Sequence, residues 1–327
     1  MKLQILIPQY KETDEVLKPL LSSIALQQSI NFNDIGVIIV NDGSDVHLSE
    51  DFLNSFPFKV EYYLNEHKGV SATRNACLDH ATADYVMFCD ADDMFYNMCG
   101  LYIIMREINT TGFDTLMSAF TEETRDPKTK DIVYINRDVD STFVHGKVHR
   151  RQYLIDNNIR WNDELTIHED SYFNCLCQHL TQEVKYCPIP FYLWKWRDES
   201  VCRHDPDYIL KTYNNMLESN TALVHEFQRR RKFDDASFFA TSMIFDAYYT
   251  LNKKEWIDQS NRHYKEAVER RFVKYWEEFH PLYDNLEEEK KLQIIAGVRT
   301  RMFGEGLMLE SITFDDWIKK ITKEYKK

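Results

Sequence analysis

Phe88-Cys89-Asp90-Ala91-Asp92-Asp93 sets three carboxylates directly after an apolar run that begins at Tyr85. Burying such a cluster unpaired is expensive, so it belongs at an exposed strand end with a cation for company. If the chain stays extended there, Asp90 and Asp92 project to the same side. Oxygen ligands so arranged suit Mg²⁺ or Mn²⁺ that also holds a diphosphate. Taken alone the segment also reads as a solvated acidic turn, and its surroundings are what raise it.

Outward from it, short β-rich runs alternate with helical patterns. Leu3 to Ile7, Val37 to Val40, Val60 to Leu64, Tyr85 to Cys89 and Thr115 to Phe120 read as strands. Val16, Leu17, Leu20, Leu21 and Ile24 recur at helical spacing, and helices are predicted near Val70 to His80 and Met98 to Ile108. Alternation of this kind predicts an α/β fold with a mostly parallel central sheet, and such sheets bind ligands at the carboxyl ends of their strands. Ile132 to Val144 is β-like and less regular; Arg151 to Asn158 and Asp170 to His179 read as short helices. Past Arg203 the pattern becomes helical throughout, over Tyr208 to Lys232, Ala236 to Asn252, Trp256 to His280 and Leu286 to Met302. The boundary is placed near Asp205, which divides the chain into an α/β domain, 1–204, and an all-helical domain, 205–327.

The chain has 327 residues, more than one compact domain usually holds, and its 43% hydrophobic content supports a packed core. A formal net charge of -13 argues against wrapping nucleic acid. Leu3 to Pro8 is too short for a signal-peptide core, and no run approaches the roughly 20 apolar residues that spanning needs, so a cytoplasmic protein is expected. The seven cysteines show no metal or redox spacing and read as reduced, mostly buried thiols.

Three further segments carry chemistry. Val40-Asn41-Asp42-Gly43-Ser44-Asp45 follows a buried strand, and Gly43 permits a tight turn with close backbone approach. Asn65-Glu66-His67-Lys68-Gly69-Val70-Ser71-Ala72-Thr73-Arg74-Asn75-Ala76 opens a helix that carries Arg74, a combination that favours anions. Glu169-Asp170 places two acids at a predicted helix start.

In that order, with Ile7-Pro8-Gln9-Tyr10 ahead of them, Gln27 at the end of the first helix, and Val144 to Arg151 and Leu154 to Arg160 before the Glu-Asp pair, these motifs resemble the family 2 inverting glycosyltransferases, which have the GT-A fold. The resemblance spans about residues 3 to 204. It implies a donor site formed by Pro8, Gln9, Tyr10, Glu12, Asp42, Lys68, Gly69, Arg74, Asn75, Asp90 and Ala91. Within it, Asp42 would contact the base, most often uracil, and Asp90 the ribose or base-proximal side. Asp92 would bind the Mn²⁺ or Mg²⁺ that bridges the diphosphate, and Asp170 would be the general base on the acceptor. The segment Tyr192 to His204 looks like a lid over the donor phosphates, with Arg197 and Arg203 as phosphate contacts and His204 completing the metal shell. Gln9 stands where relatives often have Asn, and Thr73 where they have Ala.

The implied reaction moves a sugar from a nucleotide-diphosphate donor, UDP-sugar foremost, to a hydroxyl of a glycan or glycopolymer. A non-catalytic nucleotide-sugar or glycan-binding module of the same fold would show a damaged metal or base position, whereas Asp90, Asp92 and Asp170 are all present. A nucleotidyltransferase would want a Gly-rich basic loop after the first strand, which Pro8 to Glu12 does not provide. The helical tail, with Arg229 to Lys232 and the cluster Phe238, Phe239, Met243, Ile244, Phe245, Tyr248 and Tyr249, is expected to serve docking, homo-oligomer formation or acceptor binding.

Overall fold

The computed structural model describes residues 1–197, 207–253, 256, 261–304 and 312–325. The chain falls into two compact units, Met1–Ser200 and Val201–Lys327. No described helix is long and apolar enough to cross a membrane.

The first unit is built on β1 (Leu3–Gln9), α1 (Asp14–Ala25), β2 (Ile35–Asp42), α2 (Glu50–Leu53), β3 (Lys59–Asn65), α3 (Val70–His80), β4 (Tyr85–Phe88), β5 (Met94–Phe95) and α4 (Gly100–Thr110). It continues through β6 (Thr115–Arg125), β7 (Ile132–Arg137), β8 (Lys147–Arg150), α5 (Arg151–Asp156), α6 (Glu169–His179) and β9 (Val184–Trp194). The sheet order is β3-β2-β1-β4-β8-β6-β9-β5, with β7 pairing β6. β1, β2, β3, β4, β6 and β9 run one way, while β5, β7 and β8 run against them. The sheet is therefore mixed and mostly parallel, an α/β fold. β1 and β2 are almost wholly buried because helices cover both faces, which explains their unbroken apolar runs.

The periodicity reading missed β9. Pro188 and Pro190 interrupt it, and the pairing with β6 slips there: Ser118 faces Cys187 and Phe120 faces Tyr192. Four residues, 188–191, thus oppose Ala119 alone, a bulge that lets two residues without a backbone N–H sit inside a strand. β8 was likewise not foreseen as a strand; it inserts antiparallel between β4 and β6 in the mostly parallel sheet.

The second unit consists of α7 (Tyr208–Arg229), α8 (Phe233–Leu251), α9 (Arg262–Asp284), α10 (Glu288–Gly304) and α11 (Phe314–Tyr325). The last of these lies beyond the predicted helices. Met243, Ile244, Phe245, Tyr248 and Tyr249 are buried, so most of the apolar cluster forms this unit's own core, while Phe238 stays exposed. The six described free cysteines include five buried ones; Cys99 is exposed.

Candidate active site

The carboxyl ends of β1, β2 and β4 meet at one edge of the sheet. β1 lies between β2 and β4, so the chain leaves it toward β2 and β3 on one side and later returns to β4 on the other. A crevice opens at such a switch of direction. Here it is a cavity of about 390 Å³ lined by Pro8, Gln9, Tyr10, Glu12, Asp42, His67, Gly69, Val70, Thr73, Arg74, Asp90, Ala91 and Asp92.

The wall around Asp42 is fixed by short-range bonds. The Asn41 amide donates to the carbonyl of Val46 (2.9 Å), and its oxygen accepts from the Ser44 N–H (2.7 Å), closing the turn after β2. Gly43 is required in that turn, because its φ is +67° and a Cβ there would lie 2.3 Å from the His67 nitrogen. The Asp42 carboxylate accepts from the N–H groups of Lys68 (2.8 Å) and Gly69 (3.0 Å) and sits 2.9 Å from His67 Nδ1. It therefore pins the loop that leads into α3. Tyr10 stacks on His67 with centroids 4.8 Å apart.

The three adjacent carboxylates have three different environments. The chain turns at Ala91–Asp92 instead of staying extended, and the Asp93 N–H donates to the Asp90 carbonyl at 3.2 Å. Asp90 accepts from Arg74 Nη2 at 2.9 Å. Asp92 accepts from Arg197 Nη1 at 2.9 Å, and the same nitrogen lies 3.9 Å from Glu12. Asp93 is buried beneath them, where the Tyr192 hydroxyl (2.7 Å) and the Lys195 N–H (2.9 Å) donate to its two oxygens. Burial, reinforced by the charges of Asp92 and Asp90, raises the proton affinity of Asp93 well above that of an ordinary carboxylate. The expectation that all three acids lie exposed is thus corrected: Asp93 is a buried brace. Glu12 is raised too, chiefly by burial.

Arg74 joins this edge to α6. Its guanidinium donates to Asp90 and, at 2.9 Å, to Glu169, with the Trp161 ring 4.4 Å beneath it. Asp170 follows at the first turn of α6, whose N-cap residue His168 is held at φ +65°, an uncommon conformation for a residue with a side chain. Burial first, then the neighbouring charge of Glu169 and that of Asp90, push Asp170 up to about 7 against the opposing pull of Arg74. A helix N-terminus favours an ionised carboxylate, but here burial and the neighbouring acids outweigh it.

Comparison with known proteins decides the family. Residues 4–170 match the model of glycosyl transferase family 2. The chain belongs to glycosyl transferase family 2. Over 190 residues it is 25% identical to the poly(ribitol-phosphate) beta-N-acetylglucosaminyltransferase TarS of Staphylococcus aureus, covering 53% of this chain and 32% of TarS. It is 29% identical over 128 residues to the uncharacterized glycosyltransferase YibD of Escherichia coli, covering 38% of this chain and 32% of YibD. The matched stretch thus spans about a third of each of these relatives. The solved structure of S. aureus TarS 1-349 in complex with UDP-GlcNAc superposes with a TM-score of 0.60 at 15% identity, covering 100% of this chain and 92% of that one. The fold is GT-A, followed by a helical region.

On this family 2 scaffold the cavity gathers Pro8, Gln9, Tyr10, Glu12, Asp42, Gly69, Arg74, Asp90, Ala91 and Asp92. Arg197 reaches its rim through Asp92. Lys68 is not among the lining residues; its ammonium is exposed 3.7 Å from Glu66, and its contribution is the backbone bond to Asp42. Asn75 is also elsewhere than expected. Its amide donates to the Trp161 carbonyl (2.9 Å) and Asp163 (2.8 Å) and accepts from the Trp161 N–H, which ties α3 to the segment before α6. Arg74 meets carboxylates where an anionic ligand was expected. Arg203 and His204 lie outside the described residues.

His67 and Trp161 were not assigned roles from the sequence. Tyr192 and Lys195 belong to the segment expected to be a lid, but Tyr192 is a buried residue of β9 and both bond Asp93, over separations that no local pattern reveals. Among the described residues, Asp90, Asp93 and His145 bring ligand atoms within 4.8 Å of one another. Both Asp93 oxygens are already engaged, so the better-placed cation ligands are Asp90 and Asp92, which line the cavity. Asp92 already pairs with a positive group, and hard oxygen donors fit Mg²⁺ or Mn²⁺.

Proposed function

We propose that this chain is an inverting transferase that moves a sugar from a UDP-sugar to a hydroxyl of a glycan or glycopolymer with a divalent cation bound at Asp92. The observation that carries the reading is the Asp90–Arg74–Glu169 bridge, which links the donor cavity to the segment bearing a raised carboxylate, Asp170. UDP-GlcNAc is the first donor to try, because it is the ligand of the TarS complex. The uracil would lie against Tyr10 and His67, with Asp42 holding the loop beneath it. A cytoplasmic site of action follows from this choice of donor in the same reading.

In the reaction the acceptor oxygen forms the new bond to the anomeric carbon as the bond from that carbon to the diphosphate breaks, and the electron pair leaves with UDP. Asp170 takes the acceptor's proton; a carboxylate poised near neutral pH is matched to that task. Asp92 and Asp90 would hold the divalent cation, which would supply charge neutralisation for the leaving diphosphate. Arg197, now on Asp92, is placed to follow the phosphates. The test is UDP release from a panel of nucleotide sugars with Mn²⁺ or with chelator. Metal-dependent turnover of a UDP-sugar supports the reading, and turnover that ignores chelation, or prefers a non-uridine donor, overturns the part concerned.

A further inference from the structure

The segment His149-Arg150-Arg151 has no part in the donor site. It ends β8 and opens α5 at the opposite edge of the sheet, where a second cavity of about 510 Å³ is lined by Lys2, Asp84, Asn109, Arg150, Arg151 and neighbouring residues. Five residues of β1, Leu3 to Ile7, lie between Lys2 on this cavity and Pro8 on the donor cavity, roughly 20 Å of strand. The backbone around it is tightly held: the Arg151 N–H donates to the Asp84 carbonyl at 2.8 Å and the Tyr85 N–H to the Lys2 carbonyl at 2.9 Å.

Its charges are unevenly answered. Arg150 is neutralised by Asp114, which accepts from its Nε at 2.8 Å. The Lys2 ammonium rests on a neutral acceptor, Asn109 Oδ1, at 2.6 Å. Arg151 has a buried Nε with no hydrogen-bond acceptor. Of the lining side chains only Asp84 is acidic, and it is exposed. In a chain of net charge -13, a cavity lined by three cationic side chains, of which Arg151 keeps a guanidinium nitrogen without an acceptor, suits an anion. Arg and Lys together fit the tetrahedral oxygens of phosphate, the fork pairing two of them and the ammonium a third.

We propose that this cavity is a second ligand site, which binds a phosphate group through Arg151 and Lys2. The group can belong to a free phosphate or monoester or to the phosphodiester backbone of a polymer, and two probes separate these sources.

Inorganic phosphate and dimethyl phosphate are titrated into the full chain with the donor cavity saturated with UDP, by calorimetry at constant low ionic strength. At least one probe should bind at a single site, about tenfold more weakly in Arg151→Gln and more weakly in Lys2→Gln, with affinity unchanged in Asp92→Asn. Preference for inorganic phosphate assigns the site to free or terminal phosphate, and preference for dimethyl phosphate to a polymer backbone. Lys2→Gln changes a residue near the chain start and keeps the test open if Arg151→Gln fails to fold. Absence of binding by both probes overturns the proposal, as does binding that neither substitution weakens.

Discussion

At the carboxyl edge of the sheet, the two described guanidinium groups nearest the donor cavity are answered by carboxylates, Arg74 by Asp90 and Glu169 and Arg197 by Asp92. At the amino edge the balance reverses, with Arg150 paired and Arg151 Nε left over. Helix direction differs between the two edges, although α5 begins at the amino edge with Arg151 itself. α3 and α6 begin toward the carboxyl edge, where their N-terminal partial charge tolerates clustered acids and anionic ligands. α3 and α4 end toward the amino edge, where exposed carbonyls favour cations. The same crossover geometry therefore gives the carboxyl edge helix starts that suit anions.

The strongest way to break that contrast is Asp170→Asn. Transfer should fall by about 10²–10⁴-fold while UDP affinity stays unchanged, as expected for a base acting on the acceptor. Phosphate binding at the amino edge should not change either. If UDP binding fell with the rate, Asp170 would belong to the donor side.

The same variant sharpens the electrostatic account. Asp170 is raised to about 7, so in the folded chain its proton is held more tightly than in the unfolded one. Ionisation then opposes folding from the ordinary carboxylate value of about 4 upward, and the penalty is complete once the pH passes about 7. Asp170→Asn should consequently melt above the wild type, by a margin that grows from about pH 4 to about pH 7 and then levels. In the wild type, turnover should rise with pH through the same upper value. A constant margin across pH would refute the burial argument.

A smaller effect is expected of Asn75→Ala. Removing a buried amide that bonds Trp161 and Asp163 should cost about 1–3 kcal/mol in denaturant unfolding, with UDP affinity little changed in the folded protein. A selective loss of UDP binding would return Asn75 to the donor site. Smallest of all, Tyr10→Ala removes one ring of the stack with His67 and should weaken UDP binding by about 0.5–1.5 kcal/mol, leaving turnover at saturating donor unaltered.

The crevice at the carboxyl edge was legible in the sequence because each piece is local. A strand ends, and the next few residues must line the crevice, so Pro8 to Glu12, Asp42 and Asp90 to Asp92 could be read without knowing the rest. What could not be read is what those residues touch. Arg74 looked like an anion ligand since its partner Glu169 lies 95 residues away, and Asp93 looked like a third exposed acid since Tyr192 lies 99 residues on. The strand carrying Tyr192 was hidden by Pro188 and Pro190, whose effect on pairing depends on a bulge against β6. α11 was missed along with β9, as its periodic pattern is short.

Tyr192 serves two of the acidic residues at once, donating to Asp93 and accepting the Asp90 N–H at 3.1 Å, while the Lys195 N–H closes the other side of Asp93. Both come after residue 170, where the family match ends. The stretch that identifies the enzyme is thus shorter than the stretch needed to shape its acidic loop. A fragment cut at the family boundary would keep the recognisable motifs and lose the keystone that sets their spacing, and a chimera that exchanged motifs between relatives would have to carry β9 along with them.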